Sequence, residues 1–81
     1  MLRRHEQQRH AQLHRRLAVP TEHGRIDVTL TIVPDDDDPH GLLSAHDATG
    51  APLAQVRVAA GFRLTMTSAS AWIDGGFQRP G

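Results

Sequence analysis

The stretch Arg25-Ile-Asp-Val-Thr-Leu-Thr-Ile-Val33 decides how this chain folds. Its apolar residues stand at every second position, with polar residues between them: Ile26, Val28, Leu30 and Ile32. This two-residue period is typical of a strand with one face buried and the other in water. Most of its residues are β-branched, which suits a pleated and half-buried surface. The stretch therefore predicts a strand that needs neighbouring strands to cover its apolar side.

Alternation returns several times downstream of this strand. We predict a second strand over residues 42–46, a third over residues 53–59, a fourth over residues 62–67 and a short fifth over residues 71–73. The segments Asp47–Pro52 and Asp74–Gly76 are rich in turn-forming residues. Short strands separated by such turns are typical of a meander, a small sandwich or an incomplete barrel.

Upstream of Arg25, the composition changes. Residues 2–18 are rich in Gln, Arg, Leu and Ala, which favour helices, and Leu2, Leu13 and Leu17 would share one helical face. Pro20 would end that helix. The predicted fold is α+β, a basic N-terminal helix followed by an antiparallel sheet or partial sandwich or barrel of four to five strands. The predicted division is a basic helical arm over residues 1–19 and an antiparallel β domain over residues 20–81.

The composition limits the classes of protein that remain. The chain has 81 residues, no cysteine and three aromatic residues, so disulfides and thiolate zinc sites are excluded and the core is small. Such a core favours assembly with a partner or a second copy. All nine basic residues are arginine, which indicates a GC-rich gene, bacterial or from a phage. No apolar run approaches the roughly 20 residues that span a bilayer, so we expect a cytoplasmic protein that does not enter membranes.

The charges are separated along the chain although they balance overall. Residues 1–19 hold five arginines and one glutamate, a net charge of +4, and residues 20–81 hold four arginines and eight acids, a net charge of −4. The positive end could bind a partner or nucleic acid. The acidic run between two prolines could recognise the basic arm, within one chain or between two, or could be a solvated loop. The candidate binding residues are Arg3, Arg4, Arg9, Arg15, Arg16, Asp35, Asp36, Asp37 and Asp38.

Metal binding is a weaker hypothesis. Glu6, His10 and His14 are four residues apart and would lie on one face of a helix, a workable spacing for zinc or nickel. A wet helix face gives the same pattern, and the neighbouring arginines would repel a cation. The sequence therefore predicts no metal and no other cofactor.

Residues 41–58 resemble the opening hairpin of carboxypeptidase-regulatory-like and transthyretin-like sandwiches. Those modules begin Gly-x-Val, turn through Asp-x-x-Gly-x-Pro-Leu, and continue with a Val-x-Val strand. The later Asp74-Gly-Gly-Phe77 is similar to their Asp-Gly-x-Phe turn. The resemblance implies antiparallel β structure, and it carries over no functional residues.

No sequence signature of catalysis is present: there is no Gly-x-Ser-x-Gly elbow, phosphate loop or dinucleotide fingerprint. We therefore expect no enzyme. The leading hypothesis is a non-catalytic interaction or assembly module, a small accessory protein that binds a protein partner or itself as an oligomer. The alternative is a nucleic-acid-binding protein that uses the Arg-rich N-terminal helix.

Overall fold

The computed structural model of the chain describes residues 12–80. Four strands form one antiparallel sheet in the order β1-β2-β3-β4, and a helix follows them. Each strand pairs with the next in the sequence, so the sheet is a meander with β1 and β4 at its edges. The elements are β1 (Gln12–Thr21), β2 (Gly24–Val33), β3 (His40–Asp47), β4 (Pro52–Ala59) and α1 (Met66–Asp74).

The predicted fold class is wrong in the position of its helix. Residues 12–18 belong to β1, which continues without interruption through the predicted end of the arm at residue 19. Pairing with β2 sets Leu17 opposite Val28 and Val19 opposite Ile26. This gain in apolar contact overrides a helix preference that amounts to only tenths of a kcal/mol per residue. Pro20 is tolerated because β1 is an edge strand. The rest of the predicted helix lies outside the described residues.

The strands predicted over residues 62–67 and 71–73 are also wrong, because α1 occupies most of that segment. A capping box starts the helix. The Thr65 hydroxyl oxygen accepts from the Ser68 N–H at 3.1 Å, and the Thr65 N–H donates to the Ser68 hydroxyl at 2.9 Å. The buried residues Ala69 and Trp72 are three apart, which is a helical spacing.

A tight turn ends α1 and fixes an aromatic pair. The Gly76 N–H donates to the Ile73 carbonyl at 3.1 Å, and the Phe77 N–H donates to the Trp72 carbonyl at 2.9 Å. This is the bond pattern of a Schellman motif, in which Gly76 takes the left-handed conformation with φ of 76°. The motif sets Phe77 edge-on against Trp72, with ring centroids 5.1 Å apart. The apolar contact that usually accompanies such a cap is thus part of the core.

The core lies on one side of the sheet, under α1 and the segment that leads into it. It is formed by Val19, Val28, Leu30, Leu43, Ala45, Val58, Leu64, Ala69 and Trp72. The alternation that predicted the strands over residues 25–33, 42–46 and 53–59 is confirmed, since all three lie in the sheet and bury alternate residues. Within residues 12–80 the fold is one sheet covered by one helix, and the second sheet of a sandwich is not found.

The hairpin of β3 and β4 matches the segment that resembles the sandwich modules. The later part of that resemblance does not hold, because Asp74 ends α1 and the following glycines belong to the helix cap. Among the described residues, no helix is long and apolar enough to cross a membrane.

Candidate interaction edge

The two predicted binding arginines within β1 point to different faces of the sheet. Arg15 pairs with Leu30 of the core, and Arg16 pairs with Thr29 on the opposite, open face. Directly paired residues share a face of the sheet, so these neighbours do not form a joint basic patch. Both are exposed. The other predicted arginines, Arg3, Arg4 and Arg9, lie outside the described residues.

The predicted acidic run forms the exposed loop between β2 and β3. Asp38 forms an ion pair with Arg57 of β4. The Asp37 N–H donates to the Asp35 carboxylate at 3.0 Å, and this bond holds the pKa of Asp35 below its ordinary value. One partner of the loop is therefore an arginine of the last strand, and this exposed pair contributes little stability.

His14, from the predicted metal set, occupies an irregular position in β1. The register shifts between Leu13 and Arg15, so His14 is the extra residue of a β-bulge. In the part of the chain from 12 to 80, no group of three His, Cys, Asp or Glu side chains could hold a metal ion. Glu6 and His10 lie outside that part.

The open face of the sheet is polar along its middle. A row of four side chains, one per strand, crosses it in the order Arg16, Thr29, Ser44 and Gln55. The Gln55 amide nitrogen donates to the Ser44 hydroxyl at 3.1 Å. The chain's three aromatic residues pack on the other side with the core. The open face of the described sheet therefore offers no aromatic platform on which bases could stack.

The two edges of the sheet differ in their protection. Each edge carries a bulge and a proline, at His14 and Pro20 in β1 and at Leu53 and Pro52 in β4, and β1 also carries two arginines, all features that discourage pairing with another chain. Helix α1 also makes its close contacts with β1. In β4, residues 54–58 have no proline and one charged side chain, Arg57, which is already paired with Asp38. Within residues 12–80 no strand pairs with the outer side of β1 or of β4, and β4, which carries the fewer charges, is the candidate edge for pairing.

Apolar side chains line this edge. Leu53 is 45% exposed, and Ala54 and Val56 are only partly covered at the margin of the core. Because the close contacts of α1 are with β1 at the other edge of the sheet, Ala54 and Val56 stay partly exposed. An added strand would cover side chains that the helix leaves half open.

A groove of about 570 Å³ begins at Leu53 and runs under the turn between β1 and β2. Its apolar lining includes Ile26, Ile73 and Phe77, and acidic groups on it include Glu22 and Asp74. The groove and the β4 edge are continuous through Leu53. A chain bound along β4 could therefore extend beyond the strand into an apolar channel.

Asp47 holds the hairpin turn that sets the register of β4. Its carboxylate accepts from the Thr49 N–H at 2.9 Å, from the Thr49 hydroxyl at 2.6 Å and from the Ala51 N–H at 3.0 Å. These bonds, with that of the Thr49 hydroxyl the strongest, hold the pKa of Asp47 below its ordinary value. The carboxylate form is thus the one that stabilises the turn.

We expect Asp47→Ala to lower the melting temperature at neutral pH and to lose this effect in acid. A carboxyl group whose pKa is lowered by folding stabilises the protein above its unfolded pKa, and this contribution disappears as the pH falls through the folded pKa. Thermal melts at neutral and strongly acidic pH would measure the difference. Glu22→Ala, in the exposed turn between β1 and β2, is the control. An Asp47→Ala effect that is equal at both pH values would contradict the role of the carboxylate.

The β4 edge cannot be recognised from the alternation of its residues alone. Residues 54–58 alternate clearly, but the two further strands predicted after them would place β4 inside the sheet. The signal that could have found the edge is the Thr65-x-x-Ser68 pattern, which marks a helix start in place of those strands.

The chain matches no protein-family model, and no significant match was found among curated proteins or solved structures. The function of the chain therefore has to be inferred from its own surface.

Proposed function

We propose that this chain is a non-catalytic interaction module that binds an extended protein segment by adding it as a strand to β4. The observation that carries the proposal is the contrast between the two edges. Both edges carry a bulge and a proline, at His14 and Pro20 in β1 and at Leu53 and Pro52 in β4. The contrast lies in the regular part of each strand: residues 54–58 of β4 hold one arginine, which Asp38 already pairs, whereas residues 15–19 of β1 begin with two adjacent arginines. Natural sheets usually protect such an edge, so a regular and accessible one indicates a use for it.

Strand addition suits the chemistry of β4. Main-chain hydrogen bonds along the edge supply affinity for any extended segment, and contacts with alternate side chains supply selectivity. Ala54 and Val56 would contact apolar side chains of the partner on the core side, and Gln55 would face polar side chains on the open side. A polypeptide of alternating apolar and polar residues is therefore the expected partner.

The distribution of charged residues also favours β4 over β1 as the binding edge. Arg57 is the one charged residue of β4, and Asp38 already neutralises it, so an incoming strand need not carry a compensating acid. In β1, by contrast, Arg15 and Arg16 are adjacent. A second strand there would bring its side chains against two cations.

The amino-acid composition indicates the kind of organism to which the chain belongs. A chain with arginine as its sole basic residue other than histidine fits a small accessory protein of a GC-rich bacterium or phage, acting in the cytoplasm. The nucleic-acid alternative depends on arginines outside the described residues, and the placement of Arg15 and Arg16 on different faces does not favour it.

The proposal predicts that cross-linking in cells depends on which edge carries the probe. A photo-reactive amino acid at Gln55 is expected to give cross-linked species in cells that produce the chain, because that position lies at the candidate edge. The matched control is the same amino acid at Arg16, which occupies the same row of the open face at the opposite edge. Absence of products from position 55, or equal yields from both positions, would overturn the proposal.

A further inference from the structure

We infer that the strand that β4 accepts is β4 of a second copy of this chain, paired antiparallel about a two-fold axis. This inference rests on the proposed function, since it names the partner of the same edge. A two-fold axis through Val56 pairs each residue with the one that lies equally far on the other side of Val56. Ala54 then faces Val58 of the second copy, and Gln55 faces its Arg57.

The pairing matches the two faces of the sheet. Ala54, Val56 and Val58 all lie on the core side of β4, so apolar side chains meet apolar side chains there. Gln55 and Arg57 both lie on the open side, where an amide oxygen can accept from a guanidinium. An axis between two residues would place the core side of one sheet beside the open side of the other, because side chains alternate with a period of two.

Several positions of the axis set core side beside core side, and the positions of Arg57 and Pro52 distinguish between them. An axis through Arg57 would set two arginines opposite each other, and like charges in direct cross-strand pairs are destabilising. An axis through Gln55 would bring Pro52, which has no N–H to donate, into the pairing. The axis through Val56 avoids both, and it leaves Asp38 free to keep its ion pair with Arg57.

The position of α1 permits this dimer. The helix makes its close contacts with β1 at the far edge, so the main part of each helix would lie away from the axis, and only the end of α1 approaches β4, at Leu53. The two sheets would join into one of eight strands, with β1 at each end. A single strand pair buries little surface, below the roughly 1,200 Å² of standard interfaces. The dimer is therefore expected to dissociate reversibly on dilution.

Sedimentation of the full chain and two charge variants tests the inference. The mass of the wild-type chain should rise from monomer to dimer between micromolar and millimolar concentration. Gln55→Glu should lower the dissociation constant by about 2- to 30-fold, because the symmetry creates two opposite-charge pairs with Arg57. Gln55→Arg should raise it, and high salt should reduce both effects. Arg16→Glu, in the same row at the β1 edge, should leave it unchanged.

A chain that stays monomeric throughout, or Gln55→Glu and Gln55→Arg shifts in the same direction, would overturn the inference. Circular dichroism of each variant would show whether the sheet is intact, so that a loss of folding is not mistaken for a loss of association. If the purified chain is monomeric but the probe at position 55 still cross-links in cells, the partner is another protein. In that case the proposed function stands and self-pairing fails.

Discussion

Trp72→Ala is expected to remove most of the free energy that keeps the chain folded at room temperature. Trp72 is 2% exposed and is the largest residue of the core, and truncation of a buried tryptophan to alanine costs about 3–5 kcal/mol. Small domains have free energies of unfolding of about 5–15 kcal/mol, and a chain of 81 residues without a disulfide should lie near the lower limit. Urea denaturation followed by circular dichroism would measure the loss.

The size of that loss also depends on the helix cap. Phe77 packs edge-on against Trp72 and is held there by the bond from its N–H to the Trp72 carbonyl. Removal of the indole would therefore loosen the end of α1 as well as the core. Leu53→Ala, at a side chain 45% exposed, is the matched control and is expected to cost less than about 1 kcal/mol.

Trp72→Phe distinguishes the contribution of ring packing to stability from that of the indole N–H. The indole Nε1 is buried and has no hydrogen-bond partner among the described residues, and burial of such a group is unfavourable. Phenylalanine removes that donor and keeps an aromatic ring against Phe77. We expect its cost to be less than half that of Trp72→Ala. Equal costs for the two variants would show that ring packing does not hold α1 on the sheet.

The part of the fold that could be predicted from the sequence is the part with a strict two-residue period. Residues 25–33 alternate over their whole length and bury Val28 and Leu30 completely. The first strand was not predicted because its apolar residues are few and its arginines and glutamine favour helices. Only its pairing with β2 makes it a strand. A strand that forms only through such pairing cannot be recognised from its own residues.

The strand predicted over residues 62–67 was wrong for a different reason. Phe62, Leu64 and Met66 alternate as strand residues do, yet only Leu64 is buried and Met66 is 46% exposed as the first residue of α1. A short apolar alternation cannot by itself be distinguished from the approach to a helix. The capping box formed by Thr65 and Ser68 decides the matter, because it satisfies the N–H groups that a helix start leaves free.

The candidate edge was less predictable than the fold. Its chemistry is in the sequence, as alternation with one arginine, but its accessibility depends on strand order. The ion pair between Asp38 and Arg57 could not be predicted from the sequence either. The two residues are far apart in the sequence and become neighbours only when β4 returns beside β3 to the end of the sheet where the acidic loop lies. The predicted contact of that loop with the N-terminal arm remains a prediction.

Leu30→Ala and Thr29→Ala would test whether the sheet has one buried face or two. Leu30 is fully buried, so its truncation should cost about 2–5 kcal/mol. Thr29, its neighbour on the open face, should cost at most about 1 kcal/mol, the range of strand preferences. Urea denaturation at a fixed protein concentration gives both values. If Thr29→Ala were as costly as Leu30→Ala, something would cover the open face, and partners would be bound by that face. A large difference would show that the open face remains in water, as expected if partners bind at an edge of the sheet and not on this face.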